Sequence, residues 1–300
     1  MSTRADQLAE RRAALLTLID RAIRGEARPL YDFLARHSGL PGPRSNDVLL
    51  ETFAGAVAMR APKADALLAE MVTLDPDMGR GGTGYEFVPM CAVASLAERA
   101  AKDPKARKAC LVLLHDAAED LRFRVREEVP KALARIGVAQ GDSLVHEFEA
   151  WTDGYFHASA VLKAFAVDEF ASVLTDVEAV VARLDETFAL ARDAQSSHFR
   201  YPGHKELVVA LGVTPGALAS RLGVPIFDML ERWAKVKEPI LREAVAKNLK
   251  GSRVAGRYRG EADRVTRALD GSAPLRRDPT TYFGPTRSRG GRAKGPNHKR

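Results

Sequence analysis

Cysteine is nearly absent: Cys91 and Cys110 are the two in a chain of 300 residues, too few for a disulfide framework. Both fall in helical, apolar surroundings, and free cysteines tend to be buried, so reduced core thiols are expected. Long apolar runs are missing as well. The opening stretch MSTRADQLAERRAALLTLID is charged and amphipathic, unlike a signal peptide or a membrane span. A cytoplasmic chain with no membrane partner is the expectation. Aromatics make up 7% of the residues and runs of Val, Ile or Thr are scarce, while Ala and Leu abound. That balance excludes a substantial sheet and favours helix.

The signatures of many catalytic chemistries are missing too. No GxSxG elbow, P-loop or kinase set occurs. The histidines, His37, His115, His146, His157, His198, His204 and His298, show no histidine pair at i,i+4 and no paired-cysteine spacing of the kind that binds zinc, so no metal or other cofactor is expected. Glu127 and Glu128 are adjacent on a helix, point apart and make a poor acid–base pair. Gly79, Gly81 and Gly84 formally match GxGxxG, but a helix precedes them where the dinucleotide fingerprint needs a buried strand. Residues 75–86 are therefore read as a flexible loop between helical units.

Charge is present but lopsided. The net value is +7, and it divides into −1 over residues 1–100, −4 over 101–200 and +12 over 201–300. A chain that meets a polyanion at one end carries such an asymmetry.

Apolar residues recur at helical spacing along most of the length. The pattern predicts helices near 6–24, 28–36, 47–59, 63–73, 87–101, 105–118, 123–136, 143–151 and 155–165. Residues 167–194 follow as one long helix or two. A less regular stretch contains Pro202, Pro215 and Pro225, each at or before a helix start, and helices are expected near 225–236, 238–250 and 261–269. Ser45 or Asn46 suits the cap of the third helix, and Gly251 a helix C-terminus. Four segments result: helical pairs over 1–74, the glycine-rich loop 75–86, repeated helices over 87–270 and a basic tail over 271–300. The tail holds nine Gly and Pro and eight Lys or Arg against one Asp, and no Leu, Ile or Val follows Leu275. Such a composition favours disorder in isolation.

One helix design is used twice. Leu241, Arg242, Glu243, Val245, Lys247 and Leu249 align with Val125, Arg126, Glu127, Val129, Lys131 and Leu133. Apolar residues four apart form a stripe that needs a partner, and each glutamate stands four residues before a lysine. With this repeat the chain resembles HEAT-repeat proteins, most clearly in VREEVPKAL (125–133) and LREAVAKNL (241–249), less so in YFHASAVLKAF (155–165). The resemblance covers about half the chain and implies an all-α solenoid of stacked helical hairpins that grips proteins or nucleic acids. Alkylpurine DNA glycosylases of the AlkC and AlkD type look like short solenoids of this class and use an aspartate and tryptophans. Here Asp153, Trp151 and Trp233 would take those roles; the bland alternative packs both indoles between repeats and leaves Asp153 capping the next helix.

The favoured expectation is a non-enzymatic scaffold contacting nucleic acid, with a protein partner or a DNA glycosylase as alternatives. The candidate contacts are Arg122, Arg124, Arg126 and Lys131 in the first copy. Around the second copy they are Lys235, Arg242, Lys247, Lys250, Arg253, Arg257 and Arg259, and in the tail Arg276, Arg277, Arg287, Arg289 and Arg292. Tyr258, and Tyr282 with Phe283, offer rings for stacking.

Overall fold

A computed structural model describes residues 4–251 and 256–272. Among these residues the chain is all α, with no strand. Sixteen α-helices follow one another: α1 (Arg4–Ile23), α2 (Arg28–His37), α3 (Asp47–Ala58), α4 (Asp65–Val72), α5 (Phe87–Lys102), α6 (Pro104–Ala118), α7 (Phe123–Gln140), α8 (Asp142–Glu147), α9 (Tyr155–Phe165), α10 (Asp168–Ala171), α11 (Val177–Arg192), α12 (Pro202–Leu211), α13 (Thr214–Leu222), α14 (Val224–Ala234), α15 (Pro239–Asn248) and α16 (Arg259–Gly271). Short 3-10 turns occupy Gly84–Glu86, Phe148–Thr152 and Ser196–Arg200. No described helix is long and apolar enough to cross a membrane.

Local chemistry sets the boundaries. The side chains of Asn46, Asp103 and Asp176 accept from the backbone N–H groups of Leu49, Lys105 and Ala179, capping α3, α6 and α11. Pro202, Pro215 and Pro225 open α12, α13 and α14 as expected, and Pro239 opens α15, because proline's missing N–H is one the first turn leaves unbonded anyway. Residues 167–194 resolve into two helices, α10 and α11, and the Asp142 carboxylate accepts from the Thr175 backbone N–H at 2.9 Å in the turn between them. Helix α13 lies inside the stretch that looked irregular, where Pro and Gly hide its periodicity. Helix α15 closes at Asn248 with Leu249 as its cap, so Gly251 is not its terminus.

Every residue of α5 from Phe87 to Ala97 is buried, as a helix apolar on all sides must be. Its neighbours are α2, α3, α4, α6 and α7. Contacts then run in order along a row formed by α3, α5, α7, α9, α12 and α15. Helix α6 packs on α5 and α7, α8 on α7, α11 on α12, and α14 on α15 and α16. Each large apolar side chain fully buried in this way contributes about 1.5–3 kcal/mol. The repeated stripe behaves as expected at Val125, Val129, Leu133, Leu241 and Val245, all buried. Both cysteines are free and buried; burial drives the Cys91 thiol well up and Cys110 to about 11.

The loop 75–86 bonds to the start of α7 and within itself. The Gly79 carbonyl accepts from Arg122, and the buried Glu86 carboxylate accepts from the Gly82 backbone and from Arg124. A Cβ on Gly84 would lie 2.6 Å from the Ala35 carbonyl oxygen, so glycine here permits close contact with α2.

Candidate functional site

Three groups far apart in the sequence meet where α6 ends and α9 begins. His115 lies in the last turn of α6, Asp153 in the turn after the 3-10 segment, and His157 in the first turn of α9. Asp153 Oδ1 is 3.1 Å from His115 Nε2 and 2.9 Å from His157 Nδ1. The two imidazoles stack, with centroids 3.6 Å apart, and the Trp151 indole meets His115 edge-on at 5.1 Å. His157 is 5% exposed, and its Nε2 donates to the His115 backbone carbonyl at 3.0 Å. Nδ1 is left without a partner in hydrogen-bonding geometry, although the Asp153 oxygen is close. Burial holds the His157 imidazole below its usual range and His115 adds to this, while Asp153 and Glu119 pull the other way. Asp153 makes no cap: the residue before α9 is Gly154, and no side chain bonds the helix end. The linear sequence conceals this trio because its members come from three elements. The one signal was Asp153 standing four residues before His157.

A second cluster lines the same edge. Helices α7, α9 and α12 all begin here, and their first residues bring aromatic rings together. The Arg126 guanidinium lies 4.5 Å from the centroid of Phe156 and 5.9 Å from that of Phe123. Phe156 meets Tyr201 at 5.5 Å, and Tyr201 meets Tyr155 at 6.3 Å. Phe123, Phe199 and Tyr201 are exposed, and Leu121 beside them is 82% exposed. Composition could not reveal this strip, because so small an aromatic fraction becomes notable only once folding gathers it.

The sequence-derived cations divide into two sets. Those of the first copy are engaged within the chain. Arg122 is buried and donates to Asp120 and to the Gly79 carbonyl. Arg124 pairs with Glu86. Arg126 donates to the Asp120 carbonyl at 2.6 Å and lies 3.6 Å from Glu206. Lys131 is exposed but bonds Glu128 at 2.8 Å, so the anticipated partner Glu127 pairs elsewhere, with Lys163 at 2.5 Å. Lys163 also reaches Glu206 at 3.1 Å, and Arg135 bridges Glu51 and Glu98 at 2.6 and 3.2 Å. Acid and base thus alternate across α3, α5, α7, α9 and α12.

Around the second copy, Arg242 donates to the carbonyls of Ala234 and Leu269 and to Ser272 Oγ, which ties α15 to the ends of α14 and α16. Lys235 pairs with Glu231, and Lys247 with Glu243 at 2.9 Å as its spacing predicts. Lys250, Arg257 and Arg259 are exposed, as is Lys237, and none of the four has an ion-pair partner among the described residues. Arg253, Arg276, Arg277, Arg287, Arg289 and Arg292 lie outside the described residues.

Both indoles are buried. Trp151 packs against Phe148 and His115, and Trp233 stacks on Phe188 while its Nε1 donates to Asp185 at 2.7 Å. No protein-family model matches the chain, and neither a curated protein nor a solved structure matches it.

Proposed function

We propose that this chain is a HEAT-like α-solenoid that acts by binding, and that nucleic acid is its ligand, contacted through the C-terminal repeat and the basic tail. Supporting the solenoid is the order of helix contacts, an inner row from α3 to α15 backed by α6, α8, α11 and α14. The observation that carries the ligand is the contrast in pairing. Cations on α7 and α9 are matched by carboxylates, whereas Lys237, Lys250, Arg257 and Arg259 are exposed with no ion-pair partner among the described residues. The aromatic strip at the starts of α7, α9 and α12 adds rings on which bases can stack, with Arg126 beside them. Base excision in the manner of AlkC and AlkD glycosylases has less support, since neither indole offers a free face and Asp153 is turned toward two imidazoles.

Fluorescence anisotropy of the full chain, and of a chain ending at Ser272, against duplex and single-stranded DNA tests the reading. Affinity should fall steeply from low to moderate salt, and truncation should weaken it. Absence of binding at low salt by both forms would end the proposal.

A further inference from the structure

We propose that His115, Asp153 and His157 form a binding site for a first-row divalent cation of the zinc type, with one nitrogen from each imidazole and one carboxylate oxygen as ligands. The site is independent of the nucleic-acid reading.

The orientation of His157 carries the inference. Its Nε2 proton is committed to the His115 carbonyl at 3.0 Å, the kind of backbone contact that fixes the tautomer and tilt of metal-bound imidazoles. Nδ1 of a neutral ring so anchored presents a lone pair. That lone pair is buried and has no hydrogen-bond donor, and a carboxylate oxygen stands 2.9 Å away. Two acceptors this close, with the oxygen off the line of a hydrogen bond, repel unless both share a positive charge, whether a proton or a metal ion. A divalent cation supplies it.

Space around the nitrogen is kept by Gly154. A Cβ there would lie 2.5 Å from His157 Nδ1 and 3.2 Å from Glu119 Oε1, so any larger residue would press on the donor atom. The two N···O edges, 2.9 and 3.1 Å, approach the separation of about 3.3 Å that ligands roughly 2.0–2.1 Å from a tetrahedral metal would have. The rings are near parallel at 19°, so loading the site fans them apart. His115, with its side chain 24% exposed, is the ring at the rim and the one that turns. Asp153 is 57% exposed and keeps a coordination position open to solvent, with the Glu119 carboxylate alongside.

Chelator-treated full chain titrated with Co2+ and then Zn2+, followed by visible absorption and calorimetry, tests the site. One Co2+ per chain should give a d–d band that Zn2+ abolishes. Asp153→Asn and His115→Ala should each weaken Zn2+ binding by about tenfold or more, and Gly154→Ala should do likewise, with far-UV circular dichroism unchanged. His157 is buried, so His157→Ala is secondary to the two substitutions nearer the surface. No saturable binding with Zn2+ in excess would overturn the proposal. So would stoichiometric binding that survives both Asp153→Asn and His115→Ala, because the ion would then sit elsewhere, for example at His146 and Asp176, which are 3.3 Å apart.

Discussion

Arg126 and Arg242 occupy the same place in the repeated helix, and each donates to a backbone carbonyl where the preceding helix ends: Asp120 at 2.6 Å and Ala234 at 2.9 Å. The recurring arginine therefore fastens a helix to the one before it. A hydrogen bond from a charged donor is worth about 1.5–3 kcal/mol. Arg242→Ala should lower stability on that scale and raise amide exchange over residues 259–272, which Arg242 also holds through Leu269 and Ser272. Arg242→Lys should recover little of the loss, since one ammonium cannot span three acceptors as a guanidinium fork does. Exchange in α16 equal to that of the parent chain would show that the tether carries no energy.

The ring of Phe170 stands where a side chain on Gly137 would be, with Cε2 2.3 Å from the position of a Cβ. Gly137→Ala forces a fully buried phenyl ring to move, an overpacking that costs about 1–3 kcal/mol. Chemical denaturation should register it, and Phe170→Leu in the same chain should remove part of the penalty, because neighbouring substitutions do not add.

His204 is fully buried among aromatic rings, 5.3 Å from Tyr155 and 5.2 Å from Phe199. Neither ring nitrogen has a partner in hydrogen-bonding geometry, and the approach to the Ala191 carbonyl falls short of one. Burial depresses its pKa below 6.5. The folded chain then binds this proton less readily than the unfolded chain, so the stability contributed is full above 6.5 and is lost as pH falls through the folded value. His204→Phe should make the drop in Tm between about pH 7 and about pH 5 shallower. An unchanged drop would assign the acid sensitivity to other groups.

If nucleic acid is the ligand, as proposed, Lys250, Arg257 and Arg259 should act one at a time on its affinity. Changing each to alanine is expected to weaken binding about equally for all sequences and to reduce the slope of log affinity against log salt by about 1. Lys131→Ala, at a lysine already bonded to Glu128, should alter the slope less.

Helix class and most helix positions were legible because apolar spacing and proline placement are local properties. The break within residues 167–194 could be read only as one helix or two, since the Asp142 side chain that holds the turn comes from another element. Pro215 marked the start of α13, but Gly216 and the short apolar spacing hid how far the helix runs. At the site level, Arg122 looked like one more surface cation, yet Asp120, two residues before it, neutralises it in the interior. His115 and His157 could not be paired in advance, because their meeting depends on how α6 and α9 approach.

Ion pairs across α3, α5, α7, α9 and α12 leave Arg135 and Lys163 already engaged with carboxylates before any ligand arrives. A long polyelectrolyte gains little by lying along that surface, since each new contact must compete with a bond already made. On the proposed reading, a strand is drawn first to the C-terminal end, and the paired surface adds chiefly the rings at the starts of α7, α9 and α12.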